Sequence, residues 1–210
     1  MSRAFVNEDA AGDSPRRDYG LPPRDDDWSN LRNDFSGERH ARNATRLTTT
    51  FVVREVTDEA DVAQVRRLVT AHGDARSTLP GVEHIYADAA GMPGAYKPPS
   101  GGIWLAVAGE SGVGCVALRS LDANVGEVKR MFVDSEWRGR GVGRALLLAL
   151  IDGARARGYT TLRLGTLHDM HTAQRLYLSL GFVQIERYRP NELIDTRFYE
   201  LSLVPGSRAR

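Results

Sequence analysis

Apolar and polar positions follow two rhythms along this chain, and each change of rhythm marks an element. "TTFVVREV" is dense in β-branched residues and predicts a strand. Val62, Val65, Leu68 and Val69 then recur at helical spacing, behind Asp58 in the position of an N-cap. From Gly73 to Gly102 the pattern is irregular: a short helix is expected around "GVEHIYADAA", closed by a Gly/Pro-rich loop, "GMPGAYKPPSGG". Long loops of this kind often carry function. Three strand patterns follow, "IWLAVA", "VGCVALRS" and "EVKRMFV", and their short Gly-bearing links predict an antiparallel meander. "VGRALLLALIDGARARG" reads as a helix stopped by Gly158, "TTLRLGT" as a strand and "MHTAQRLYLSL" as a second long helix. "VQIERY" and "FYELSLV" close the pattern as strands around the loop "RPNELIDT".

Residues 1–48 break this order. They mix both charge signs with Pro, Gly, Asn and Ser, and Phe5, Leu21, Trp28, Leu31 and Phe35 stand without periodicity, so a disordered tail is expected there. That leaves one domain over 49–204 and a short tail, 205–210, within a chain of 210 residues. Net charge is +1, which excludes the broad basic surface of a general nucleic-acid binder and makes any electrostatic function local. The single cysteine, Cys115, excludes an internal disulfide and a multi-cysteine metal site, and its apolar neighbours make it a core residue. Without a long apolar run or a charged-then-apolar leader, a cytoplasmic protein with no membrane partner is expected.

The candidate chemistry begins at "WRGRGVGRALL", between a strand and a helix. Amides of such a loop and of the first helical turn are unpaired, and the helix dipole adds positive charge there. Gly139, Gly141 and Gly143 let a diphosphate approach the main chain, and Arg138, Arg140 and Arg144 add charge-assisted hydrogen bonds. The segment lacks the Gly-Lys-Ser/Thr of an NTPase phosphate loop. It also lacks the glycine spacing and the later acidic residue of a dinucleotide fold. An acyl-coenzyme A diphosphate remains.

"VKRMFVDSEWRGRGVGRALL" resembles the coenzyme A-binding segment of the GNAT N-acetyltransferase superfamily, with Arg138, Gly141 and Gly143 on its signature. "AQRLYLSLGF" resembles the family's late helix through Ala173, Tyr177, Leu180, Gly181 and Phe182. The resemblance implies a mixed α/β fold, one central sheet with helices on both faces and two parallel strands splayed into an acetyl-CoA cleft. It implies that Met131, Phe132 and Val133 pair with the pantetheine arm, that Arg138 to Arg144, Val142 included, hold the diphosphate, and that Ala173 lies beside the cofactor. It implies Tyr177 as proton donor to the departing thiolate, a role a phenol fits because it stays protonated at neutral pH. The base is left open between Glu127, at the start of the central strand, and Glu83, in the irregular segment. Met170 stands where many relatives carry a cofactor-contacting asparagine.

The reaction implied is acetyl transfer to a primary amine, with acetyl-CoA as co-substrate and no metal, in a monomer or homodimer. His168 and His171 lack the third ligand a catalytic metal needs. Arg119, Arg130, Tyr188 and Asn191 are expected near the cleft mouth, where they favour a small carboxylate-bearing amine. A protein amine as acceptor, and a coenzyme A-binding module without turnover, are the alternatives.

Overall fold

The fold is given by a computed structural model that describes residues 50–190 and 195–204. The tail expected over 1–48, the C-terminal 205–210 and Asn191 lie outside the described residues. In chain order the elements are β1 (Val52–Glu55), α1 (Glu59–Asp74), α2 (Glu83–Gly91), β2 (Gly102–Ala108), β3 (Ser111–Asp122), β4 (Val125–Val133), α3 (Val142–Ala156), β5 (Thr161–Leu167), α4 (His171–Ser179), β6 (Val183–Ile185) and β7 (Thr196–Ser202). The strands form one sheet in the order β1-β2-β3-β4-β5-β7-β6, and of its pairs only β4 with β5 is parallel. Short links impose the antiparallel meander β2-β3-β4, whereas the parallel step needs a crossover, which α3 provides.

Two apolar cores sandwich the sheet. On one face α1 and α2 bury Val65, Leu68, Val69 and Ile85 against Ile103, Leu105 and Cys115. On the other, α3 buries Leu146, Leu147 and Leu150 against Trp104, Val116, Leu118 and Leu162. Each such leucine contributes about 1.5–3 kcal/mol by leaving water. Asp58 caps α1 as its position predicts, accepting from Asp61 N–H at 2.8 Å. Asp61 is itself nearly buried and paired with Arg54 at 2.7 Å.

One strand is shorter than its sequence suggests. "VQIERY" stays in the ladder only through Ile185, because Arg187 stacks over Phe198 at 5.9 Å and Tyr188 packs edge-on to the same ring at 5.0 Å. That departure swings Tyr188 and Arg189 toward β4.

Candidate active site

β4 and β5 pair at three positions only, Val125 with Thr161, Gly126 with Leu162 and Glu127 with Arg163, and then part. The register against β3 shifts between Cys115 and Ala117, where β4 carries the extra residue: Arg130 and Met131 face Val116 alone, and Arg130 in this bulge has φ 52°, a left-handed conformation rare for a side chain of its size. The bulge bends β4 away from β5. Its side chain then ties α2 to the bend: Arg130 Nε and Nη2 each lie 2.7 Å from Asp88 Oδ2, and Nη2 donates to His84 O at 3.1 Å. Between the parted strands, α2 and α4 opens a cleft of about 740 Å³.

The glycine-arginine loop stands next to the cleft-lining Met131, though residues 138–144 do not themselves line the cleft. Gly139 (φ 73°) and Gly141 (φ 83°) both adopt left-handed backbone, and Gly141 is the N-cap of α3. The first helical bond runs from Ala145 N–H to Gly141 O and no side chain caps this end, so among the described residues the amides of Val142, Gly143 and Arg144 have no acceptor. A Cβ on Gly143 would lie 3.1 Å from Met131 Cε, so glycine keeps the helix end close to β4. Arg138 donates to Val133 O at 3.1 Å, Arg140 stacks over Trp137 at 5.1 Å and Arg144 reaches Ser179 Oγ at 3.3 Å. Open amides, a helix dipole and three guanidiniums fit a diphosphate. Met131 lines the cleft beside them, while Phe132 is buried and Ala173 half-buried.

Tyr177 reaches the cleft from α4. It is 6% exposed, its ring packed against Phe182 and Tyr199, and its hydroxyl has no hydrogen-bond partner among the described residues. Burial pushes the phenol up to about 12, against the opposing charge of Arg76 and with a small addition from Tyr199. The hydroxyl is therefore protonated and uncommitted. Met170 is the N-cap residue of α4, and its sulfur accepts from Arg76 Nη2 at 2.8 Å and Thr166 Oγ1 at 3.5 Å. His72 stacks on Phe132 at 5.4 Å with its Nδ1 buried and unpartnered; burial, helped by Arg76, Arg130 and Arg138, pulls it down to about 3.

Of the residues expected at the cleft mouth, Arg119 and Tyr188 meet at Glu127, Arg130 is held by Asp88 and His84 instead, and Asn191 lies outside the described residues. Glu127 is 1% exposed and accepts from Arg119 Nε at 2.8 Å, Arg189 Nη2 at 3.0 Å and Tyr188 OH at 3.0 Å. Arg119, Arg130 and Arg189 line the cleft, whereas Glu127 stands behind them. Glu83 is exposed on the first turn of α2 and does not line it. Arg76, Asp88, His72 and Arg189 escaped the sequence reading. Three of the four lie in the irregular segment or the helix turn feeding it, and periodicity says nothing about which side chains of such a segment turn inward.

A family model described as "Acetyltransferase (GNAT) family" matches residues 68–182, more than half of the chain. An uncharacterised N-acetyltransferase of Bacillus subtilis is 31% identical over 147 residues, covering 67% of this chain and 95% of that protein. An N-acetylaspartate synthetase of Danio rerio is 38% identical over 103 residues, but the aligned part spans only 36% of that protein and 48% of this chain. Among solved structures, a GNAT acetyltransferase of Staphylococcus aureus matches with TM-score 0.64 at 24% identity, over 74% of this chain and 100% of that one. An acetyltransferase of Salmonella typhimurium solved with acetyl-CoA matches with TM-score 0.55 at 22% identity, over 75% and 96%. With its splayed β4 and β5 and its open helix end, the chain belongs to the GNAT acetyltransferase family, whose members are acyltransferases that use acetyl-CoA.

Proposed function

We propose that this protein transfers the acetyl group of acetyl-CoA to the primary amine of a small molecule that also carries a carboxylate. One observation carries the choice of acceptor. Among the described residues, five basic side chains, Arg76, Arg119, Lys129, Arg130 and Arg189, line the cleft against a single carboxylate, Asp88, in a chain whose net charge is only +1. Cleft walls of one sign focus the field and draw in anions. The name of the relatives whose product is N-acetylaspartate fits the same acceptor class.

Bound acetyl-CoA supplies a thioester whose carbonyl carbon the amine attacks. On the protein side, the backbone amide near Met131 polarises the carbonyl oxygen, and the Tyr177 hydroxyl gives its proton to sulfur as the C–S bond breaks and the C–N bond forms. The proton lost by the amine leaves through cleft water, from which Tyr177 is reprotonated. Arg138 to Arg144 and the open amides of α3 hold the diphosphate.

The test is coenzyme A release with a panel of amines in the presence of acetyl-CoA. Amino acids with one or two carboxylates are expected to be turned over, with kcat/KM at least tenfold above those of their carboxamides and of peptides. Equal or faster turnover of carboxylate-free amines or peptides would sink the acceptor assignment, and no release with any amine would favour a binding module.

A further inference from the structure

Glu127 occupies the last position at which β4 and β5 are still paired, immediately before the cleft opens. A base has to touch the amine, or a water beside it. Glu127 does not line the cleft: its oxygens accept from Arg119, Arg189 and Tyr188, and two of these three donors form the cleft wall in front of it. Oε2 takes both guanidiniums and Oε1 only the Tyr188 hydroxyl, so a proton would go to the remaining lone pair of Oε1, and it would leave Arg119 and Arg189 paired with a neutral acid. The surroundings hold the arrangement firmly. The Tyr188 ring is fixed edge-on to Phe198 and under Arg163 at 5.5 Å, and Arg163 is in turn anchored to Glu200 at 2.8 Å.

The other end of Arg119 carries the chemistry. Only its Nε is used on Glu127; among the described residues its two Nη groups make no hydrogen bond, and the side chain is 22% exposed where it lines the cleft. A guanidinium fixed through Nε presents its remaining N–H groups as a fork that matches a carboxylate. Resting on the acceptor class proposed above, we infer that Glu127 is a positioning residue: it holds Arg119, with Arg189 beside it, so that the pair grips the carboxylate of the acceptor. The short run "ALRSLDANVGEV" encodes both partners, because the β3-β4 register places Arg119 directly across from Glu127.

The experiment uses the full chain with L-aspartate as acceptor probe and succinate as a carboxylate without an amine. Glu127→Gln keeps the shape but removes the charge that aligns the guanidiniums. Its KM for aspartate is expected to rise at least tenfold, with succinate binding by calorimetry weakened to match, while kcat at saturating acceptor and its dependence on pH from 6 to 9 stay within threefold of the parent. A hundredfold loss of kcat with the acid limb of the profile abolished would make Glu127 the base and overturn the inference. Arg119→Gln covers the case in which Glu127→Gln fails to fold: the same rise in KM with kcat retained is expected, and an unchanged KM and succinate affinity would overturn it as well. Failure of the acceptor assignment looks different, since it appears in the parent as turnover of carboxylate-free amines. The pH profile of Glu127→Gln with such an amine then decides by itself between base and positioning residue.

Discussion

Arg76 donates from Nη2 to the sulfur of Met170, 2.8 Å away, joining the turn after α1 to the N-cap residue of α4. A thioether is a weak acceptor. Among the described residues no carboxylate pairs with Arg76, and burial lowers its proton affinity with only partial relief from Asp169. Its charge is felt instead at Tyr177, where it opposes the effect of burial on the phenol. Arg76→Met is therefore expected to make Tyr177 a weaker acid and to lower kcat about three- to tenfold. In a Tyr177→Phe background the same substitution should cost nothing further. Four kcat values complete the cycle, and full additivity of the two losses would show that Arg76 acts elsewhere.

Tyr177→Phe alone separates chemistry from packing. The ring stays against Phe182 and Tyr199, and a hydroxyl with no protein partner among the described residues is all that leaves, so the melting temperature and acetyl-CoA affinity should be preserved. Turnover should fall at least tenfold, since general-acid assistance contributes about 10²–10⁴ in rate. Parent-level kcat in this variant would assign the proton on sulfur to another donor.

The coenzyme A end is tested by geometry and by charge. Gly141 at φ 83° has open space around its Cα, so Gly141→Val fails through backbone strain rather than collision, and the strain turns the open amides of α3 out of line. Acetyl-CoA affinity by calorimetry should drop more than tenfold. Arg144→Glu should do the same, because one charge-assisted hydrogen bond is worth about 1.5–3 kcal/mol. Unchanged affinity in both would place the diphosphate elsewhere.

The elements and the bare backbone of the glycine-arginine loop are legible in the sequence because both are local. Alternation, helical spacing and the Asp58 cap read directly into β1, α1 and the meander, and the glycines of 139–143 announce an approach to the main chain wherever they fold. The wall around Glu127 was only half legible. Arg119 and Tyr188 could be named as cleft residues, but three bonds converging on one carboxylate depend on where β6 leaves its ladder, which the pattern of "VQIERY" does not encode. Arg76 and Asp88 were invisible for a related reason. Each acts through a partner far away in the sequence, Met170 in one case and Arg130 in the other.

His72 gives the fold an acid limit that can be assigned to one residue. Its imidazole is held neutral, down at about 3, by burial and by the charges of Arg76, Arg130 and Arg138, whereas the unfolded chain protonates it near 6.5. The stability this contributes is fully present above pH 6.5 and is lost as pH falls from there toward 3, because only the unfolded state takes up the proton in that window. The whole span corresponds to about 5 kcal/mol at most. Asp88 acts lower: burial raises its carboxyl, the Tyr96 hydrogen bond and Arg130 outweigh that and hold it below its usual 3.8, so its contribution starts to fade only below about pH 4. Urea unfolding at pH 6.5, 5.5 and 4.5 therefore isolates the histidine. His72→Leu removes the buried, unpartnered Nδ1 and the titrating group together, at the expense of the stack on Phe132. The parent should lose stability at close to one proton's slope, about 1.4 kcal/mol per pH unit below 6, and the leucine variant should lose that much less over the same range. Parallel curves for the two proteins would mean that His72 takes up its proton in the folded state as readily as in the unfolded one.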